Sequence, residues 1–213
     1  MRRGAGRRFA IPVVGSGIET SLLAHECAGE EAGGPGVHEA LAGHGVAYSP
    51  SMPDLQLLRP DHAPALLVFE RENRAYFAAS ISDRGEDYFI RFDERHRALL
   101  AEQEAGICYF HLLVGAEGEV LGRVNLVDVA DGCAELGYRI AERAAGRGLA
   151  TWAVRAMCDL AADRYGLTAL RAVTTLDNAA SRAVLARTGF TVVGGTELGG
   201  RPGLSYRREI ARP

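Results

Sequence analysis

Between Ala134 and Ala150 the chain reads AELGYRIAERAAGRGLA, a strand-like run with one acid, Glu135, that ends in Arg143-x-x-Gly146-x-Gly148 and opens into an amphipathic helix. Residues of these types at this spacing suit an anion. Two glycines let main-chain N–H groups approach a phosphate closely, and the helix that follows directs the positive end of its dipole to the same point. A phosphorylated cofactor is the first reading, and a glycine-rich helix start without a ligand is the plain alternative. Strand alternation places Glu135, Gly137 and Arg139 on one face and Leu136, Tyr138 and Ile140 on the other. Glu135 is thus a carboxylate beside the anion site, the salt-bridge partner of Arg139 two residues on, or a solvent-facing side chain.

The elements that must position these residues follow from hydrophobic periodicity. Leu55 to Leu58 predicts a short strand, and Asp61 offers an N-cap to a helix carrying Leu66, Leu67, Phe69 and Glu70. ENRAYF to about Ser82 continues as helix or loop. A second helical region spans about Asp87 to Ala105, with Phe89, Phe92, Leu99 and Leu100 on one side and the charge run DERHR as a solvated face. Cys108 to Val114 and Val120 to Val129, separated by Gly115 to Gly118, read as a hairpin, and Asp131-Gly132 turns into the strand Cys133 to Ile140.

From Ala145 the period changes. Leu149, Trp152, Ala153, Ala156, Met157, Leu160 and Ala161 form a helical apolar stripe, while Arg147, Thr151, Arg155 and Asp159 repeat on another face. Trp152 is spaced as core. Gly166 closes this helix, Ala169 to Leu176 is a strand, and Asp177 or Asn178 caps a last helix closed by Gly189. Phe190 to Val193 and Leu204 to Ile210 finish as strands. The order predicts an α/β (mixed α+β) fold, a mixed central sheet of about six to seven strands with helices on both faces.

The bulk properties narrow the function classes. The 213 residues are 47% hydrophobic and 24% charged with a formal net charge of -3, stock for one well-buried domain plus some excess. All 24 basic residues are Arg and none is Lys, a bias of the whole chain rather than of a site. With no basic block, a groove that tracks nucleic-acid phosphates is disfavoured, and with no run of 18 apolar residues nothing is expected to span a membrane. Cys27, Cys108, Cys133 and Cys158 lie far apart with no C-x-x-C and no His at ligand spacing, so neither a metal site nor a disulfide framework is expected. Buried, reduced thiols in a cytoplasmic protein are the reading for Cys133 and Cys158. Residues 1–51 are rich in Gly, Ala and isolated charges without lasting period and read as a poorly ordered extension to a domain over 52–213. Arg7-Arg8-Phe9-Ala10 has the look of a twin-arginine signal, but Pro12, Gly15 and Gly17 break the apolar run behind it. His25, His38 and His44 fit no ligand pattern.

Over about Leu55 to Ile210 the chain resembles the GNAT superfamily of acetyl-CoA-dependent N-acetyltransferases. Arg143-x-x-Gly146-x-Gly148 matches its pyrophosphate motif, Gln/Arg-x-x-Gly-x-Gly/Ala, and Asp177-Asn178-x-x-Ser181 ahead of Thr188-Gly189-Phe190 matches its second signature, about 30 residues further on. AELGYRI, DNAASRAVLARTGF and ENRAYF are similar to the branch of ribosomal-protein alanine and serine N-acetyltransferases.

The resemblance implies acetyl-CoA as cosubstrate, held at Arg143, Gly146, Arg147, Gly148, Leu149 and Ala150 by its phosphates, by main-chain groups of Tyr138 and Ile140 along the pantetheine arm, and beside Asn178. Arg147 is alternatively part of the solvated stripe. It implies Glu135 as general base, acting through a water, because an α-amino group of pKa about 8 must lose a proton before it attacks a thioester. The family's acid, a Tyr seven residues after the Asn, is here Leu185, and the branch resemblance suggests Ser181 instead; a Ser that helps cap the helix is the alternative. Glu70, Glu72, Tyr76, Phe77 and Tyr88 are candidates to recognise a cationic amine, or simply an amphipathic helix face. The expected acceptor is a protein N-terminal amine. A small amine (antibiotic, polyamine or amino-acid derivative) is the alternative, as is a non-catalytic acyl-CoA-binding module; monomer and homodimer are both compatible.

Overall fold

The computed structural model describes residues 52–81 and 83–210; the readings made for residues 1–51, including Cys27 and the three early histidines, lie outside them. Among the described residues, seven strands form one mixed sheet in the order β1-β2-β3-β4-β5-β7-β6. They are β1 (Asp54–Leu57), β2 (Tyr109–Val114), β3 (Val120–Ala130), β4 (Cys133–Ile140), β5 (Ala169–Thr175), β6 (Thr191–Leu198) and β7 (Arg201–Glu209). The α-helices among the described residues are α1 (Ala63–Glu72), α2 (Arg74–Ala78), α3 (Glu86–Ile90), α4 (Phe92–Glu104), α5 (Leu149–Asp163) and α6 (Ala179–Arg187). The α/β class, the meander β2 to β4 and the parallel β4-α5-β5 unit are as the sequence predicts.

Opposite partners in a sheet share a face. The pairs Arg123↔Arg139, Asn125↔Gly137 and Val127↔Glu135 therefore point together, and Glu70 of α1 reaches Arg123 and Arg139, which places α1 on that side. Val124, Leu126, Leu136 and Tyr138 point to the other side, where α5 packs and α6 lies against α5. Both layers are closed by buried apolar side chains, among them Leu66 and Phe69 of α1 and Ala153, Val154, Met157 and Cys158 of α5. Each large one contributes roughly 1.5–3 kcal/mol of burial.

Several local expectations shift. Asp61 does not cap α1; it pairs with Arg59 at 3.0 Å, and Pro60–His62 form a 3-10 turn before a helix that starts at Ala63 without a side-chain cap. The predicted helix from Asp87 to Ala105 is two helices, broken at Arg91 so that Tyr88, Phe89 and Phe92 can all turn inward. Within DERHR, His96 is buried because its Nε2 bonds to the Arg59 carbonyl at 3.1 Å, and only its neighbours are solvated. α5 begins at Leu149 after a 3-10 turn at Glu142–Ala144, and its buried centre includes Ala150, Val154 and Ala162 while Trp152, Ala156 and Leu160 sit at the margin. Cys108 and Cys158 are free, buried thiols, pushed up by burial to about 12 and about 11, whereas Cys133 is only partly buried.

Candidate active site

The anion cradle begins where β4 ends. The main chain leaves Ile140, Ala141 N–H donates to the Leu121 carbonyl at 2.8 Å, and the Glu142 N–H is held by the Asn73 side chain at 2.9 Å. Asn73 itself is anchored, its amide donating to the Phe69 carbonyl at 2.9 Å, so the end of α1 sets the start of the loop. Gly146 and Gly148 then take φ of +73° and +76°, values that only glycine adopts freely. A Cβ built on either meets nothing within 4 Å. Their turn is therefore open space rather than tight packing, and the first N–H groups of α5 at Leu149 and Ala150 face it without intrahelical acceptors. These features fit a pyrophosphate. The Arg143 side chain is half exposed, donates to the Val120 carbonyl at 3.3 Å and lies 3.7 Å from Glu72; Arg147 is exposed at the tip of the turn.

Beside the cradle the sheet opens. β4 and β5 pair only over Cys133–Glu135 against Ala169–Arg171, and from Leu136 to Ile140 the ladder between them is interrupted while β5 stays paired with β7 along its length. Main-chain groups of Gly137 to Ile140 thus face a wedge-shaped gap on the β5 side of β4. The side chains of Tyr138 and Ile140 are buried, so what Ile140 offers there is its backbone.

On the α6 side of the gap, Asn178 caps the helix: its Oδ1 accepts from the Ser181 N–H at 2.9 Å. The cap therefore does not need the Ser181 hydroxyl, which is buried and lies 3.4 Å from the Tyr138 hydroxyl. Leu185, one turn on, is buried and inert. Glu135 stands at the apex of the gap, on the α1 side, as the last β4 residue paired with β5. Arg139 does not neutralise it, since Arg139 turns to Glu70 at 3.3 Å. Burial raises the Glu135 pKa, the nearby Asp128 adds to that, and Arg171 across the strand opposes it.

Of the two readings of the residues over α1 to α3, the packed helix face describes Glu70, Phe77 and Tyr88. Glu70 is buried and already engaged by Arg123 at 3.0 Å, Arg139 at 3.3 Å and Arg84 at 3.6 Å. These guanidiniums hold its carboxyl down to about 2 against the upward push of burial. Glu72 faces Arg143 near the surface. Phe77 and Tyr88 are core, and their rings carry protein cations: Arg139 lies 5.3 Å from the Phe77 centroid and Arg84 4.4 Å from that of Tyr88. No acidic, aromatic cage for an ammonium forms from these residues. Sequence reading missed Asn73, Arg84, Arg123 and Asn125 as parts of the site; the signal available was an Arg at same-face positions in two otherwise apolar strands, VLGRVNL and LGYRI. Among the described residues, no group of three or more His, Cys, Asp or Glu side chains is placed to hold a metal ion, and no helix is long and apolar enough to cross a membrane.

Residues 54–191 match the profile of the acetyltransferase (GNAT) domain. The fold superposes on the ribosomal-protein-S5-alanine acetyltransferase from Vibrio fischeri with a TM-score of 0.71 at 18% identity, covering 78% of this chain and 97% of that one. RimJ from Mycobacterium smegmatis, in complex with CoA-disulfide, gives 0.65 at 23% identity, covering 76% and 88%. The microcin C7 self-immunity acetyltransferase MccE, in complex with acetyl-CoA and AMP, gives 0.65 at 18% identity, covering 73% and 92%. A search of curated sequences returned no significant match.

Proposed function

The chain belongs to the GNAT family of acetyl-CoA-dependent acetyltransferases, and from that premise we propose that it transfers the acetyl group to the N-terminal amine of a protein. The observation that carries this reading is one opening with Glu135 on one face and the Asn178 to Ser181 turn on the other, in a chain that folds like an enzyme named ribosomal-protein-S5-alanine acetyltransferase. Acetyl-CoA, when bound, supplies an acyl carbon activated as a thioester. The cradle at Gly146 to Ala150 holds its phosphates, and the free edge of β4 aligns its arm.

An amine entering from the α1 side meets Glu135 at the apex. Its raised pKa, set first by burial, makes Glu135 a better proton acceptor than an exposed carboxylate. As the nitrogen–carbon bond forms and the carbon–sulfur bond breaks, the amine proton passes to Glu135 through a water. On the α6 side the Ser181 hydroxyl, backed by that of Tyr138, delivers a proton to the departing sulfur. A thiol of pKa about 8.5 also leaves as thiolate, so this donation accelerates the step without being indispensable.

A small-molecule amine is the second reading, favoured by the likeness to the microcin C7 self-immunity enzyme. One panel separates the two: peptides beginning with Ala, Ser or Met beside free amines and amino-acid derivatives, each with acetyl-CoA. A kcat/KM at least about tenfold higher for peptides supports the protein acceptor. Turnover confined to small amines overturns it.

A further inference from the structure

On the α1 face of the sheet three guanidiniums share one carboxylate. Arg123 and Arg139 are 4% and 3% exposed, Glu70 is 2% exposed, and Arg84 reaches in from the segment between α2 and α3. Among the described residues, Glu70 is the only carboxylate in salt-bridge range of any of the three. The cluster thus carries two positive charges beyond compensation, in a setting where unpaired buried charge is costly. Burial above all holds Arg139 well below the usual guanidinium range; Glu70 opposes that, and repulsion from Arg123 and Arg84 adds to it. Hydrogen-bonding capacity is also left over. The Nε groups of Arg123 and Arg139 and both polar atoms of the fully buried Asn125 amide have no partner. Asn125 projects from the same face, opposite Gly137, which has no side chain to fill the space between Glu135 and Arg139.

We propose that this cluster is an oxyanion subsite for the acceptor, and that the enzyme acetylates N-termini carrying an acidic side chain at the second or third residue. The inference rests on the protein-acceptor reading above and names its substrate class. Arg139 lies two strand residues from Gly137, about 7 Å along β4. An amine held near Glu135 and Gly137 therefore sets a carboxylate one or two residues further along the peptide toward Arg84, the most exposed of the three guanidiniums, and toward Arg123, Arg139 and the Asn125 amide. Planar guanidinium forks suit that carboxylate. A polyamine is disfavoured by the same field.

The test is steady-state kinetics at saturating acetyl-CoA on matched peptides that differ only in having Glu, Gln or Arg at positions two and three. Free amino acids and their amides form a second panel. The wild type is expected to favour Glu over Gln by roughly tenfold to a hundredfold in kcat/KM, mainly through KM, the scale of one charge-assisted hydrogen bond. Arg84→Gln, which leaves Glu70, Arg123 and Arg139 in place and is checked by thermal melting, is expected to shrink that ratio several-fold, and Arg84→Glu to abolish it. Equal rates for Glu and Gln peptides, or a ratio untouched by both Arg84 variants, overturn the subsite while leaving the protein acceptor standing. Acetylation of free amino acids but not of their amides, with no peptide turned over, keeps the subsite and overturns the protein acceptor.

Discussion

Glu135 and Glu70 lie on the same face of the sheet and titrate in opposite directions for stated causes. Glu70, fully buried among three guanidiniums, is lowered to about 2, so its stabilisation is complete above the unfolded-state value and fades as pH falls from there toward 2. Glu135, half-buried near Asp128, is raised; the folded state binds its proton more tightly than the unfolded chain, so this residue costs stability as pH rises through that window. Function needs it ionised all the same. The rate is expected to climb with pH through the raised Glu135 pKa, and again toward the amine's own pKa of about 8. In Glu135→Gln the lower inflection should vanish and kcat should fall roughly a hundredfold, with CoA affinity by calorimetry showing that the cradle is intact. Undiminished turnover with both inflections present would remove Glu135 from the mechanism. The carboxylate was legible from the sequence because its motif is local; its freedom from Arg139 was not, since the competitor, Glu70, is remote in the chain.

At the scale of elements, the turn into α5 shows how a short motif becomes a site. The glycines at 146 and 148 adopt left-handed backbone with open space over them, and Asn73 from the end of α1 pins the loop's first N–H. Gly148→Val puts a β-branched residue where left-handed backbone costs about 1–2 kcal/mol and pushes its side chain into the cradle. CoA affinity is expected to fall about tenfold or more by calorimetry, with melting lowered by only several degrees; unchanged affinity would place the phosphates elsewhere. Where elements were misread, tertiary contact overrode local signal. Phe92 and Tyr88 reach one core only if the helix breaks at Arg91, and Asp61 prefers the Arg59 guanidinium to a cap.

Over the whole molecule, the gap between β4 and β5 is where the sheet divides. It arises because β5 is paired with β7 along Ala169–Thr175 while β4 follows β3, and the two ladders diverge beyond Glu135. The match to the family ends at residue 191, yet β7 supplies the pairing that holds β5 away, so the last hairpin belongs to the functional unit. A chain beginning at Met52 is expected to melt at the temperature of the full chain and to keep its kcat/KM, since β1 to β7 lie within it. A lowered melting temperature or lost activity on that truncation would show that the preceding residues complete the core or the site.

By itself the sequence determined the α/β class, the β2 to β4 meander, the β4-α5-β5 unit and the glycine-rich turn into α5, because each is written in spacings of a few residues that obey helix or strand period. Only the tertiary structure decided what lies opposite what: that Glu70 answers Arg123 and Arg139 rather than an ammonium, that Ser181 meets Tyr138, and that the sheet splits where Glu135 stands. Those relations join residues tens of positions apart. Charge and hydrogen bonding act through space, and no period along the chain records them.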